Sequence, residues 1–86
     1  MAQQIREALA ILRRKQVEAR TGLSRSTIYQ QMADGFFTRA VRIGTRAVGW
    51  PLNEVEELYA ARIAGKSDDE IRALVRKLEA ARKSAQ

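Results

Sequence analysis

The sequence contains neither cysteine nor histidine. Without cysteine the chain forms no disulfide, offers no thiolate to a zinc ion and has no thiol nucleophile. Without histidine it lacks the side chain that most often serves as a general base or as a metal ligand. An active site would need carboxylates alone or an unusual lysine. We therefore expect a protein that is not an enzyme and that uses no cofactor.

Long hydrophobic runs are also missing. No run approaches the roughly 20 apolar residues of a membrane-spanning helix, and nothing marks the first residues as a signal peptide. With 86 residues, 45% of them hydrophobic and 30% charged, the chain is expected to form one globular domain over residues 1–86. The expected location is the cytoplasm, with no membrane partner.

The positive charge is concentrated in one part of the chain. The net charge is +6; residues 1–50 hold nine basic and three acidic side chains, whereas residues 51–86 hold seven of each sign. A surface that only keeps the protein soluble would not be so uneven, but a surface facing nucleic-acid phosphates would be. Chance clustering in a short chain is the alternative.

Hydrophobic spacing predicts three short helices in the first part of the chain. The first is expected over residues 3–12, although residues 10–12 could instead be a brief extended segment. Its apolar positions are Ile5, Ala8, Leu9 and Leu12. The second covers residues 14–21 and is stopped by Gly22 in the left-handed conformation. Ser24 is a good N-cap for the third, which runs to about residue 33 with Ile28 and Met32 toward the core.

The period changes between Ala40 and Trp50, where apolar and polar side chains alternate as in a strand. A turn is expected over residues 44–46, so the segment is predicted to be a β-hairpin. Gly49 is expected to weaken the second strand, and Pro51 to close it because proline donates no ladder hydrogen bond.

Two helices are predicted after the hairpin. The first begins at Asn53, with Asn53 and Glu56 as a capping pattern and neighbouring glutamates compensating the helix dipole. Its apolar stripe is Val55, Leu58, Tyr59 and Ile63, and Gly65 ends it. The second, over residues 66–83, begins with a capping box of Ser67 and Glu70. Its stripe is Ile71, Leu74, Val75 and Leu78; it either packs back on the domain or pairs with a second copy.

The two helices that meet at residues 21–24 have the layout of a helix-turn-helix. Gly22 allows the turn, Leu23 fills the angle as a buried residue, and Val17 and Ile28 pack across it. The outward face of the second helix then carries Arg25, Ser26, Tyr29 and Gln30. Arginine is the commonest reader of guanine, and a helix N-terminus favours a phosphate. The alternative is a structural corner with a polar solvent face. Thr27 and Tyr29 could contact phosphates, or Thr27 could cap locally and Tyr29 could lie against the hairpin.

Basic residues surround the predicted hairpin. Arg39 precedes it, Arg42 lies in it, and Thr45 and Arg46 lie at its tip. Such a hairpin can enter the minor groove or hold the DNA backbone as a wing. An ordinary solvated hairpin is the alternative.

Two motifs, G-L-S-R-S-T-I-Y at residues 22–29 and R-A-V-G-W at residues 46–50, resemble the AlpA-type phage regulatory proteins. The resemblance covers residues 10–64 and implies a winged helix-turn-helix of the excisionase-like, MerR-like kind: mainly α with a small β-hairpin. It implies that residues 24–30 begin the recognition helix, that residues 42–46 form the wing, and that Trp50 anchors the wing. The chain departs from the general helix-turn-helix pattern at Glu18 and Thr21. Residues 66–86 extend beyond the resemblance as an additional helix.

The resemblance implies a prophage or mobile-element regulator that binds double-stranded DNA in the bacterial cytoplasm, in association with the nucleoid. The residues expected to contact DNA are Ser24, Arg25, Ser26, Thr27, Tyr29, Gln30, Arg39, Arg42, Thr45 and Arg46. Two alternatives stay open: an architectural excision factor that binds in tandem and bends DNA, and a protein-interaction module that uses the last helix. Candidate partners besides DNA are further copies of the chain, an integrase and RNA polymerase.

Overall fold

The computed structural model describes residues 10–84, which form four helices and three short strands. In chain order these are β1 (Ile11–Leu12), α1 (Arg14–Thr21), α2 (Arg25–Asp34), β2 (Val41–Arg42), β3 (Val48–Pro51), α3 (Leu52–Ile63) and α4 (Asp68–Ser84). The predicted fold class, mainly α with a small β-hairpin and an added C-terminal helix, is confirmed. No helix within residues 10–84 is both long and apolar enough to cross a bilayer.

The sheet has β3 at its centre, antiparallel to both neighbours. Strand β2 pairs with it as the predicted hairpin, and β1 pairs on the other side with Leu12 opposite Trp50. The expected helix over residues 3–12 is therefore wrong at residues 11–12, where the extended alternative is right; residues 1–9 lie outside the described part. Leu12, which faces Trp50 across this ladder, is buried in the core.

Gly49 lies where β1 and β3 approach each other closely. A Cβ atom at this position would lie 2.8 Å from the carbonyl oxygen of Leu12 and would collide with the side chain of Ile11. The absence of a side chain lets β1 approach β3 closely enough to pair. Strand β3 continues through Gly49, so the glycine predicted to weaken this strand does not interrupt it.

The core surrounds Trp50, whose side chain is fully buried together with Val17, Ile28 and Phe37. The indole Nε1 donates a hydrogen bond of 3.0 Å to the carbonyl of Thr38, and the ring meets Phe37 edge-on. A buried indole N–H needs such an acceptor, so the wing's last strand is fixed to the segment that precedes the wing. The predicted anchoring role of Trp50 is consistent with this packing.

Helix α3 begins one residue earlier than predicted, at Leu52, and its N-cap is Pro51 with no side-chain cap hydrogen bond. Leu52 is buried, and its N–H donates to the carbonyl of Ala10 at 2.8 Å. The chain turns into the helix directly after β3, so the capping pattern at Asn53 is not used. At the other end Ile63 is 86% exposed, because the helix passes the edge of the core there.

Helix α4 packs back on the domain. Ile71, Val75 and Leu78 are buried, and Leu74 packs against the same core while remaining half-buried. The apolar stripe is therefore covered by the chain's own core rather than open to a second copy. The predicted capping box is confirmed: the Ser67 N–H donates to Glu70 at 2.9 Å, and the Glu70 N–H donates to the Ser67 hydroxyl at 3.2 Å.

Candidate nucleic-acid interface

A turn of three residues, 22–24, joins α1 to α2 and is compatible with the predicted helix-turn-helix. Gly22 has a φ of 75°, in the left-handed region, and its N–H caps α1 by donating to the carbonyl of Glu18. The Thr21 hydroxyl donates to the Val17 carbonyl at 2.7 Å and accepts from the Leu23 N–H at 3.2 Å. This explains why a threonine is tolerated where an apolar residue is usual. Leu23 is half-buried rather than buried, which corrects its predicted state.

Helix α2 begins at a cluster of three hydroxyls. The Ser24 hydroxyl accepts from the Thr27 N–H at 3.3 Å, as the predicted N-cap does, and lies 2.9 Å from the Thr27 hydroxyl and 3.3 Å from that of Ser26. Ser24 therefore supplies the cap, and the Thr27 hydroxyl is engaged locally with the Ser24 hydroxyl. Capping leaves the other N–H groups of the first turn open at the positive end of the helix.

The outward face of α2 is exposed as predicted. Arg25, Ser26, Tyr29 and Gln30 are all accessible to solvent, while Ile28 on the opposite side is fully buried. The amide of Gln30 donates to both carboxylate oxygens of Asp34 at 3.2 Å. Tyr29 is 40% exposed, and its ring meets Trp50 edge-on at 6.3 Å between centroids. Tyr29 thus lies against the base of the wing and still reaches the surface.

The wing is the hairpin of β2 and β3. Its tip, residues 44–46, is closed by the Ile43 N–H donating to the Ala47 carbonyl at 2.9 Å. Arg42 donates to the Thr45 carbonyl at 3.5 Å, and Arg46 is exposed at the tip. Arg13, just before α1, donates to the Val48 carbonyl at 3.1 Å and so links the helix-turn-helix to the wing. Sequence reasoning missed this contact, which spans 35 residues.

Helix α4 contacts the connection between α2 and the wing, residues 35–40, at Arg39. The Glu79 carboxylate accepts a hydrogen bond of 2.8 Å from the backbone N–H of Arg39, and the Arg82 guanidinium donates one of 2.7 Å to the backbone carbonyl of Arg39. The same Arg82 guanidinium binds both carboxylate oxygens of Glu54 at 2.6 and 2.8 Å. The backbone of Arg39 is therefore fixed on both sides, while its side chain stays exposed.

Glu54 has a role that the sequence pattern did not indicate. It lies in the first turn of α3, where it suits the helix dipole as predicted, and it is also 2% exposed and paired with Arg82. Hydrogen bonding to Glu54 raises the pKa of Arg82. The available signal was position: Glu54 precedes buried Leu58 by four residues, which places both on the inward face of α3.

Helix α4 also contacts the C-terminal end of α2. Arg72 donates to the Asp34 carbonyl at 3.1 Å, and its guanidinium lies 4.3 Å from the centroid of the Phe36 ring. Arg62 of α3 lies on the same ring at 5.4 Å. These contacts fix the C-terminal end of α2, so both ends of the connection to the wing are held.

The ten residues predicted to contact DNA fall into two surfaces. Six are in the N-cap and first turns of α2, three are on the wing, and Arg39 lies on the connection between them. The Tyr29–Trp50 contact joins the two surfaces. The structure shows where these side chains lie; their contact with DNA stays a prediction.

Comparison with known proteins covers the same elements. The family described as the prophage CP4-57 regulatory protein (AlpA) matches residues 10–63, which span β1 to the end of α3. The chain is also similar to the uncharacterized protein ORF88 of Enterobacteria phage P4, with 47% identity over 45 residues. That match covers 52% of this chain and 51% of the phage protein, so the chain spans about half the length of this curated relative. Helix α4 lies beyond the family match.

Proposed function

Since this chain belongs to the AlpA family of prophage regulatory proteins, we propose that it is a sequence-specific DNA-binding regulator of transcription from a prophage or mobile element. The observation that carries the proposal is the exposed polar face of α2 beside an arginine-bearing wing. A recognition helix with a wing is one of the recurring ways in which a small domain reads duplex DNA.

Helix α2 is the proposed reader of base edges in the major groove. Its face offers a guanidinium at Arg25, an amide at Gln30 and a hydroxyl at Ser26, which match the donors and acceptors displayed there. The buried Ile28 fixes the rotation of the helix, so this face points away from the core. The hydroxyl cluster at Ser24 fixes where the helix begins.

The wing is proposed to hold the minor groove or the backbone. Arg46 at the tip and Arg42 on β2 present positive charge, and the basic excess of residues 1–50 lies around them. Contacts to phosphates set register and affinity but carry little sequence information. Arg39 is proposed to add a further phosphate contact from the connection.

Selection of preferred duplexes from a random pool, followed by binding measurements on variants, tests this proposal. Arg25→Ala should relax the preference at one position at a cost of about 1–3 kcal/mol. Arg46→Ala should weaken binding evenly across sequences and make it less salt-dependent. Lys66→Ala, which removes the same charge from an exposed residue before α4, is the control. A pool that yields no enriched sequence would overturn the proposal.

An architectural role in recombination is the second candidate, favoured by apolar side chains beside the wing. Ile11 and Ile43 flank Gly49 and are 37% and 44% exposed. Copies bound in tandem would have these side chains available for packing against one another. Stepwise cooperative shifts on a long duplex, lost in Ile43→Ser, would support this role, whereas independent binding of each copy would contradict it.

A further inference from the structure

A cavity of about 230 Å³ lies between the end of α2 and α4. Its polar walls are Arg39 from the connection and Arg72, Arg76 and Glu79 from α4, and Ala33 of α2 also lines it. A water molecule occupies about 30 Å³ in the liquid, so the cavity has room for a phosphate group with accompanying waters.

The cavity is positively charged because its arginines outnumber its one glutamate. Glu79 already accepts the Arg39 N–H, and Arg72 is engaged by the Asp34 carbonyl and the Phe36 ring. Arg39 and Arg76 are both exposed, and within residues 10–84 no carboxylate lies within 4.0 Å of either guanidinium. Two guanidinium groups are therefore available for an anion, and their planar geometry suits phosphate.

The cavity opens at the end of the proposed DNA-reading face. Ala33 follows Tyr29 by four residues and Gln30 by three, so the three share one side of α2. From Ser26 to Ala33 the helix rises about 10 Å, at 1.5 Å per residue. The major groove is about 12 Å wide, so a helix whose first turn reaches the bases brings its last turn toward the phosphates of the groove wall.

We propose that Arg76, together with Arg39, binds a phosphate of the duplex at this cavity. Helix α4 then extends the DNA interface beyond the segment matched by the family. Arg72 acts as a positioning residue, because its contact with Asp34 holds α4 against the end of α2. The inference rests on the proposed function of duplex binding and adds a contact that neither the recognition helix nor the wing supplies.

The test compares Arg76→Ala with Lys77→Ala in the full chain. The two residues are adjacent, exposed and basic, but Lys77 lines a separate groove with Ala61 and Glu70. Both variants lose one positive charge, so both weaken the long-range electrostatic attraction between the protein and DNA equally. Binding to a duplex selected with the unaltered chain is measured by fluorescence anisotropy over a series of salt concentrations.

Arg76→Ala is expected to lower affinity several-fold and to reduce the slope of log K against log salt by about 0.9, the value for one phosphate contact. Lys77→Ala should leave this slope unchanged, and Arg76→Lys should have a slope close to that of the unaltered chain. Equal effects of Arg76→Ala and Lys77→Ala would overturn the phosphate contact while leaving the proposed function intact. If the unaltered chain bound no duplex, the proposed function would fail as well.

Discussion

Replacing Arg82 by methionine tests whether a buried ion pair holds α4 to the rest of the domain. The Glu54 side chain is 3% exposed and that of Arg82 is 26% exposed. The substitution removes both hydrogen bonds to the Glu54 carboxylate and the bond to the Arg39 carbonyl. The carboxylate then stays buried without a counter-charge, and the Arg39 backbone loses one of its two hydrogen bonds to α4.

The expected cost is large for a protein of this size. Removing one partner of a buried ion pair typically destabilises a protein by about 3–5 kcal/mol. Arg82 is a quarter exposed, and water can therefore enter the vacated space, so we expect a value near the lower limit, about 3 kcal/mol. A change of 1 kcal/mol moves the melting temperature of a domain of this length by about 4–8 °C, so Tm should fall by about 12–24 °C.

Urea unfolding followed by the fluorescence of Trp50, which is fully buried, measures this cost. The urea concentration at the midpoint of unfolding should fall, while the dependence of the unfolding free energy on urea concentration stays constant. The double variant Glu54→Leu with Arg82→Met should regain most of the lost stability, because an apolar pair needs no counter-charge. A loss below about 1 kcal/mol for Arg82→Met, as for an exposed pair, would refute the reasoning.

Three further predictions follow from single positions. Gly49→Ala should destabilise the protein by about 1–3 kcal/mol in thermal unfolding, because its Cβ would press on the Leu12 carbonyl oxygen at 2.8 Å; unchanged Tm would contradict the close approach of β1. Thr38→Val should raise stability by about 1 kcal/mol, because the buried Thr38 hydroxyl has no hydrogen-bond partner within residues 10–84; a loss of stability would reveal a partner. The pKa of Glu70 is lowered mainly by the hydrogen bond that its carboxylate accepts from the Ser67 N–H, and further by its hydrogen bond with the Ser67 hydroxyl. The stability that this contributes is present above the usual glutamate pKa and is lost as pH falls through the lowered value; NMR titration should show the lowered pKa, and Ser67→Ala should bring it nearer to normal.

The helix-turn-helix corner and the hairpin were predictable because their signals are local. Gly22 and Ser24 mark the turn within three residues, and Val17 and Ile28 have the spacing of inward-facing helical residues. The alternation from Val41 to Trp50 similarly predicts two paired strands. Each of these elements is stabilised mainly by residues that are close in sequence, so a short window contains the information.

Elements that depend on distant partners were not predictable from local patterns. A two-residue strand such as β1 has no period of its own, and its partner β3 lies nearly forty residues later. The capping pattern at Asn53 failed because burial of Leu52 started the helix earlier. Ile63 continues the apolar spacing of α3, but the core ends before it.

The contacts that Arg82 makes with Glu54 and with the Arg39 carbonyl are the clearest case of a long-range feature. Arg82 is 28 residues from Glu54 and 43 from Arg39, and no spacing rule links such distant positions. The exposed candidates on α2 and the wing were easier, since exposure follows from the inward positions of Ile28 and Trp50. The cavity beside Arg76 depends on the packing of α4 against α2, which the sequence left open.

The most direct test of the central claim measures binding of the full chain to two labelled duplexes, one selected from a random pool and one unrelated, over a series of salt concentrations. The account predicts affinity for both that falls linearly on a log–log plot with salt, and a preference for the selected duplex of about 10³-fold or more. It predicts that Arg25→Ala reduces this preference. Equal affinity for the two duplexes, or no salt-sensitive binding to either, would contradict the claim that α2 reads DNA sequence.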